Sequence, residues 1–131
     1  MVEAATKRIL AIDSEPNMQK IVQTCLTTLG GWEVQLATSA QEGLNKAAIE
    51  RPDAILMEGT MPAMKIADFL AQLQANPITR SIPVVFLTEQ ASLTERHRFL
   101  ELGAVGAIAK PFDPLTLAAK IAAILGWEID R

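Results

Sequence analysis

Pro52-Asp-Ala-Ile-Leu-Met-Glu-Gly-Thr-Met-Pro62 is the stretch on which the reading of this chain turns. Its Ala54–Met57 run is apolar at every position, as in a strand covered on both faces. The run ends on a carboxylate, Glu58, followed by Gly59, which breaks the strand, and by a loop closed at Pro62. An acid at the end of a buried strand does not build the core. An unpaired buried carboxylate is costly, so a cation, hydrogen bonds or water must meet Glu58 there.

Working outward, the same grammar repeats. Arg8–Ile12 is a short apolar run ending in Asp13-Ser14-Glu15, and Pro16 sits where a first helical turn tolerates proline. Met18, Ile21, Val22, Cys25 and Leu29 follow at helical spacing until Gly30-Gly31. Trp32–Ala37 reads as a strand, and Ser39-Ala-Gln-Glu42 is a capping box opening a helix with Gly43, Leu44 and Ala47 inward. Ile66, Phe69, Leu70 and Leu73 predict a third helix that ends before Pro77. Ile82–Leu87 is a strand finishing at Thr88, and Ser92-Leu-Thr-Glu95 caps a helix carrying Leu93, Phe99, Leu100 and Leu102 to Gly103. Val105–Ala109 is the last strand, ending at Lys110-Pro111. Asp113 and Pro114 then open a final helix with Leu117, Ile121, Ile124 and Leu125 inward.

Strand and helix thus alternate five times with short connections, which predicts an α/β fold: a parallel sheet with helices on both faces. The 131 residues suffice for one domain with a full core, expected over 1–131 with its core at about 8–125. A net charge of −3 gives no basic face for nucleic acid. The single cysteine, Cys25, has no internal disulfide partner, and the N-terminus is too polar for a secretory signal. No apolar run approaches the ~20 residues of a membrane span, so a cytoplasmic location is expected. His97, between Arg96 and Arg98, reads as a solvated residue, and Cys25 as packing.

Ligands of open parallel sheets sit beyond the carboxyl ends of the strands, where strand order reverses. Asp13, Ser14, Glu15, Glu58, Thr88 and Lys110 all stand there. An amine can neutralise an acid, a hydroxyl can bind an oxyanion, and paired carboxylates can hold a hard cation.

At this point the chain resembles the receiver domain of bacterial two-component response regulators. The likeness covers about Arg8 to Leu125 and rests on Ile9-Leu-Ala-Ile-Asp-Ser-Glu-Pro16, Pro52–Pro62, Ile82-Pro-Val-Val-Phe-Leu-Thr88 and Gly103-Ala104 leading to Lys110-Pro-Phe112. It implies a doubly wound, flavodoxin-like sheet of five strands in the order 2-1-3-4-5 with five helices. It also implies a phosphoacceptor aspartate after strand three, served by Mg²⁺ and a histidine kinase. By that resemblance Glu58 takes the phosphoacceptor place, and Asp13, Ser14 and Glu58 take the Mg²⁺ site. Thr88 and Lys110 match the phosphoryl-contacting pair.

The departures are Glu58 for aspartate, Ser14 for the second acid, and Ala107 where many receivers carry an aromatic switch. The extra methylene of Glu58 moves its carboxylate outward by roughly 1.3–1.5 Å. A misplacement of about 1 Å can cost on the order of 10²-fold in a positioned reaction. A neutral Ser14 also weakens Mg²⁺ binding, leaving that site weak or lost, and Glu15 substitutes only in part.

The expected function is therefore a non-enzymatic, atypical receiver acting through protein–protein contact, with phosphorylation lost or much reduced. Glu58 is expected to pair with Lys110. The alternative is a working phosphoreceiver that takes its phosphoryl group from a histidine kinase on Glu58 or a nearby acid. A flavin binder is disfavoured because Asp13-Ser-Glu-Pro16 is acidic where a flavin phosphate needs donors. Expected partners are a histidine kinase or downstream signalling protein, with no nucleic acid and no membrane. The Ala118, Ala119, Ala122 and Ala123 cluster makes the chain a monomer or a weak homodimer through its last two helices, and Trp127 is expected to pack onto that region.

Overall fold

The computed structural model describes residues 6–59, 64–89 and 92–128. Ten elements alternate along them: β1 (Arg8–Ile12), α1 (Pro16–Thr28), β2 (Glu33–Ala37), α2 (Ala40–Glu50), β3 (Ala54–Glu58), α3 (Ile66–Ala75), β4 (Val84–Thr88), α4 (Leu93–Glu101), β5 (Gly106–Ala109) and α5 (Leu117–Leu125). The strands form one parallel sheet in the order β2-β1-β3-β4-β5. This is the expected doubly wound arrangement, and strand order reverses between β1 and β3. The loop closing at Pro62 lies outside the described residues.

Both faces of the central strands are buried, which explains their unbroken apolar runs. Ile9, Ala11, Ala54, Leu56, Val85 and Leu87 face α1 and α5, where Leu26, Leu117 and Ile121 meet them. Leu10, Ile12, Ile55, Met57, Val84 and Phe86 face the other way, onto Phe69, Leu73 and Phe99 of α3 and α4. The period of two therefore persists in which core each residue joins, although polarity does not alternate. Phe86 stacks on Phe99 with centroids 5.0 Å apart.

Both predicted N-cap serines cap their helices. Ser39 Oγ accepts the Glu42 N–H at 3.1 Å and Ser92 Oγ accepts the Glu95 N–H at 3.2 Å. The Glu42 carboxylate reaches one residue further back than expected, accepting the Thr38 N–H. The last helix begins later than Pro114. Asp113 Oδ1 accepts the Leu115 N–H at 2.9 Å, and this turn holds 114–116 out of the helix until Leu117. Four apolar residues of the predicted helical patterns, Ile21, Leu29, Leu93 and Leu100, are exposed. They stand at the edges of stripes broader than the face each helix buries. Trp127 packs edge-on against Trp32, centroids 5.1 Å apart, at the turn between α1 and β2.

Candidate functional site

Register brings the expected residues to one edge of the sheet. Ile12 pairs with both Ala37 and Met57, Glu58 with Leu87, and Thr88 with Ala109. Asp13, Glu58, Thr88 and Lys110 therefore each stand at or just past the carboxyl end of a neighbouring strand. Backbone bonds lock this edge: Asp13 N–H to Ala37 O at 3.0 Å, Gly59 N–H to Leu87 O at 2.7 Å, and Lys110 N–H to Thr88 O at 2.8 Å. The Lys110–Pro111 peptide is cis.

Asp13, Glu58 and Thr88 are buried, whereas Ser14 and Glu15 are exposed. The Lys110 ammonium donates a hydrogen bond to Glu58 Oε2 in a direct ion pair, and the two side chains are only 12% and 10% exposed. The strand-end acid thus has its cation within the chain. A charge-assisted bond of this kind is short and strong, and the low exposure keeps solvent from screening it.

Asp13 is held differently. Its Oδ1 accepts the Glu15 N–H at 2.8 Å, closing the turn into α1. Burial pushes the Asp13 carboxyl above the usual 3.8, a rise that the Glu15 N–H and the Lys110 charge oppose and the Glu15 charge assists. The folded chain therefore keeps this proton to higher pH than the unfolded chain. The stability that follows is present below the unfolded value and is lost as pH rises through the folded one, leaving a standing cost at neutral pH. Asp13→Asn, which retains the Oδ1 acceptor, is expected to raise the urea midpoint at neutral pH. That gain should shrink as pH falls through the carboxylate range, which a pH series of unfolding curves measures.

Two contributors went unnoticed in the sequence. Gln19 is buried, and its Nε2 donates to Asp13 O at 2.8 Å and Ala37 O at 2.9 Å, tying together the ends of β1 and β2. Its signal was an amide lying between Met18 and Val22 on the inward stripe of α1. Gly59 does more than end β3. A β-carbon there would meet Thr88 Cβ at 2.9 Å and Oγ1 at 3.0 Å, so the missing side chain lets Thr88 close over the strand. Ala107 is half-buried on the α2–α3–α4 side and leaves no aromatic ring beside Thr88 on β5.

The Mg²⁺ that the receiver resemblance implies asks for near-octahedral oxygen ligands at about 2.0–2.1 Å and keeps several waters. Here one Asp13 oxygen already accepts a backbone N–H, Ser14 is neutral and exposed, and Glu58 Oε2 carries an ammonium. Asp13, Gln19 and Glu58 together border a cavity of about 10 Å³, room for roughly one water. Among the described residues, no three His, Cys, Asp or Glu side chains are grouped to hold a metal. This donor set does not match what the ion requires.

Residues 9–122 match the family model of the response regulator receiver domain. The chain is 34% identical over 119 residues to the phosphate regulon transcriptional regulatory protein PhoB of Escherichia coli (strain K12), covering 91% of this chain and 52% of that protein. It is 31% identical over 124 residues to the probable transcriptional regulator ycf27 of Cyanophora paradoxa, covering 95% of this chain and 50% of that protein. The chain thus spans about half the length of the curated relatives it matches. Among solved structures it is similar to the chemotaxis response regulator CheY4 of Vibrio cholerae, with a TM-score of 0.84 and 28% identity over 92% of this chain and 99% of that one. It is also similar to the receiver domain of the sensor histidine kinase PA1611 of Pseudomonas aeruginosa PAO1, which holds a magnesium ion in its active-site cleft. That match has a TM-score of 0.80 and 27% identity over 93% of this chain and 99% of that one. No helix among the described residues is long and apolar enough to cross a membrane. With its strand order and the family model in agreement, the chain belongs to the receiver domain family of two-component response regulators.

Proposed function

We propose that this chain is an atypical receiver that signals by protein–protein contact, with phosphorylation lost or much reduced. The observation that carries the reading is the buried Glu58–Lys110 ion pair. In this reading Glu58 stands at the phosphoacceptor position, and Lys110 is committed to its carboxylate instead of to an incoming phosphoryl group. An attacking carboxylate must present a free oxygen in line with the donor, and the oxygen that meets Lys110 is already engaged. With Ser14 neutral, Mg²⁺ binding is weak or lost. With Ala107 in place of an aromatic ring, the usual link from Thr88 to the outer face is missing.

Residues 1–131 act in this reading as one cytoplasmic receiver-like domain, binding a histidine kinase or a downstream signalling protein. It catalyses no reaction and contacts neither nucleic acid nor membrane. It is a monomer or a weak homodimer through α4 and α5. Ala119 and Ala123 are exposed on α5 for such contact, while Ala118 and Ala122 belong to the core.

Intact mass after incubation with a small-molecule phosphoryl donor and Mg²⁺ tests the proposal. The expected spectrum contains the unmodified chain alone. A stoichiometric phosphoryl adduct would replace this reading with that of a working phosphoreceiver.

A further inference from the structure

The mismatch between the donor set and Mg²⁺ has a definite physical source. The edge of the sheet gathers two buried carboxylates, Asp13 and Glu58, and buried negative charge is costly unless a positive charge or hydrogen bonds meet it. A divalent ion is one solution, and a tethered ammonium is another. Lys110 supplies the second: its Nζ is bonded to Glu58, and its charge also lowers the Asp13 carboxyl. We infer that the Lys110 ammonium serves as the resident cation of this site, so that Lys110 and a divalent metal exclude one another.

The inference rests on the proposed loss of phosphoryl chemistry and extends it to the ions the site accepts. Two features favour the tethered cation. The longer reach of Glu58 brings its carboxylate to the lysine without requiring an ion between them. The ammonium is attached to the chain, so binding it costs no translational freedom, whereas a free ion must be captured from solution.

Removing the tethered charge should therefore create metal affinity. The experiment is a Mg²⁺ titration of the whole chain, with no phosphoryl donor present, followed by calorimetry and by thermal unfolding at matched ionic strength. The wild-type chain is expected to show no binding heat and no shift in midpoint beyond that of sodium chloride. Lys110→Met, which removes the positive charge that acts on both Asp13 and Glu58, is expected to bind Mg²⁺ about tenfold or more tightly than wild type and to regain midpoint as Mg²⁺ is added. Should Lys110→Met not fold, Glu58→Asp keeps every charge while withdrawing the carboxylate from the lysine, and it is expected to gain affinity in the same direction.

Saturable Mg²⁺ binding by the wild-type chain would overturn the inference. So would variants that fold and remain as indifferent to Mg²⁺ as wild type. Because no phosphoryl donor is used, this outcome is separable from the functional reading. A wild-type chain that binds Mg²⁺ and takes no phosphoryl group defeats only the tethered cation, whereas a phosphoryl adduct defeats the reading beneath it.

Discussion

Lys110→Met is expected to lower the unfolding free energy by about 3–5 kcal/mol, the range for breaking one partner of a buried ion pair. The loss does not measure the worth of the contact. It arises chiefly because the Glu58 carboxylate would remain buried without the ammonium that meets it, with Asp13 also at the same edge. For a chain of this size the thermal midpoint should fall by roughly 10–20 °C. Lys120→Met, at an exposed position on α5, serves as the control and should stay within about 0.5 kcal/mol of wild type. Neutralising both partners, as in Glu58→Gln with Lys110→Met, should recover part of the loss, since position 58 then carries no charge while Asp13 still lacks the Lys110 charge that lowers its carboxyl. Urea unfolding of the three variants checks the free energies, and thermal scans check the midpoint.

Phosphoryl acceptance is expected to return in Ser14→Asp combined with Glu58→Asp. Shortening Glu58 withdraws the carboxylate by roughly 1.3–1.5 Å and loosens its bond to Lys110. An aspartate at Ser14 adds a second anionic oxygen donor beside Asp13, where Mg²⁺ needs one. Ser14 is exposed, so its added charge should change stability by no more than about 0.5 kcal/mol. The double variant should gain a phosphoryl adduct at a rate on the order of 10²-fold above wild type, and only with Mg²⁺ present. Glu58→Asp alone should gain less. Timed intact-mass spectra separate these outcomes, and an unmodified double variant would place the obstacle outside these two positions. With Ala107 retained, no aromatic ring on β5 is available to carry the change outward.

Much of this edge could be read before any coordinates. Buried parallel strands leave unbroken apolar runs, and the residue ending each run must be polar, so Asp13, Glu58, Thr88 and Lys110 announced themselves by position. The Glu58–Lys110 pair follows from the longer reach of Glu58 once the receiver resemblance sets Lys110 opposite the phosphoacceptor place. Periodicity served less well at helix margins. A stripe at 3.6-residue spacing is wider than the contact a surface helix makes, and Leu93 and Leu100 therefore belong to the pattern of α4 without belonging to the core. The start of α5 was misplaced because Asp113-Pro114 signals a turn as readily as a cap, and here the Asp113 carboxylate closes the turn. Gln19 was hidden for the opposite reason: its two bonds go to carbonyls of Asp13 and Ala37, which are neighbours only after β1 and β2 pair. The Trp32–Trp127 contact likewise joins residues with no local signal linking them.

The account stands or falls on whether Glu58 and Lys110 are committed to one another. A double-mutant cycle built from Glu58→Gln, Lys110→Met and their combination, followed by urea unfolding at neutral pH, measures that commitment directly. The expected coupling is at least about 2 kcal/mol, with the double variant more stable than Lys110→Met alone. Losses that add to within about 0.5 kcal/mol would mean that the two charges do not depend on each other, and would contradict the account.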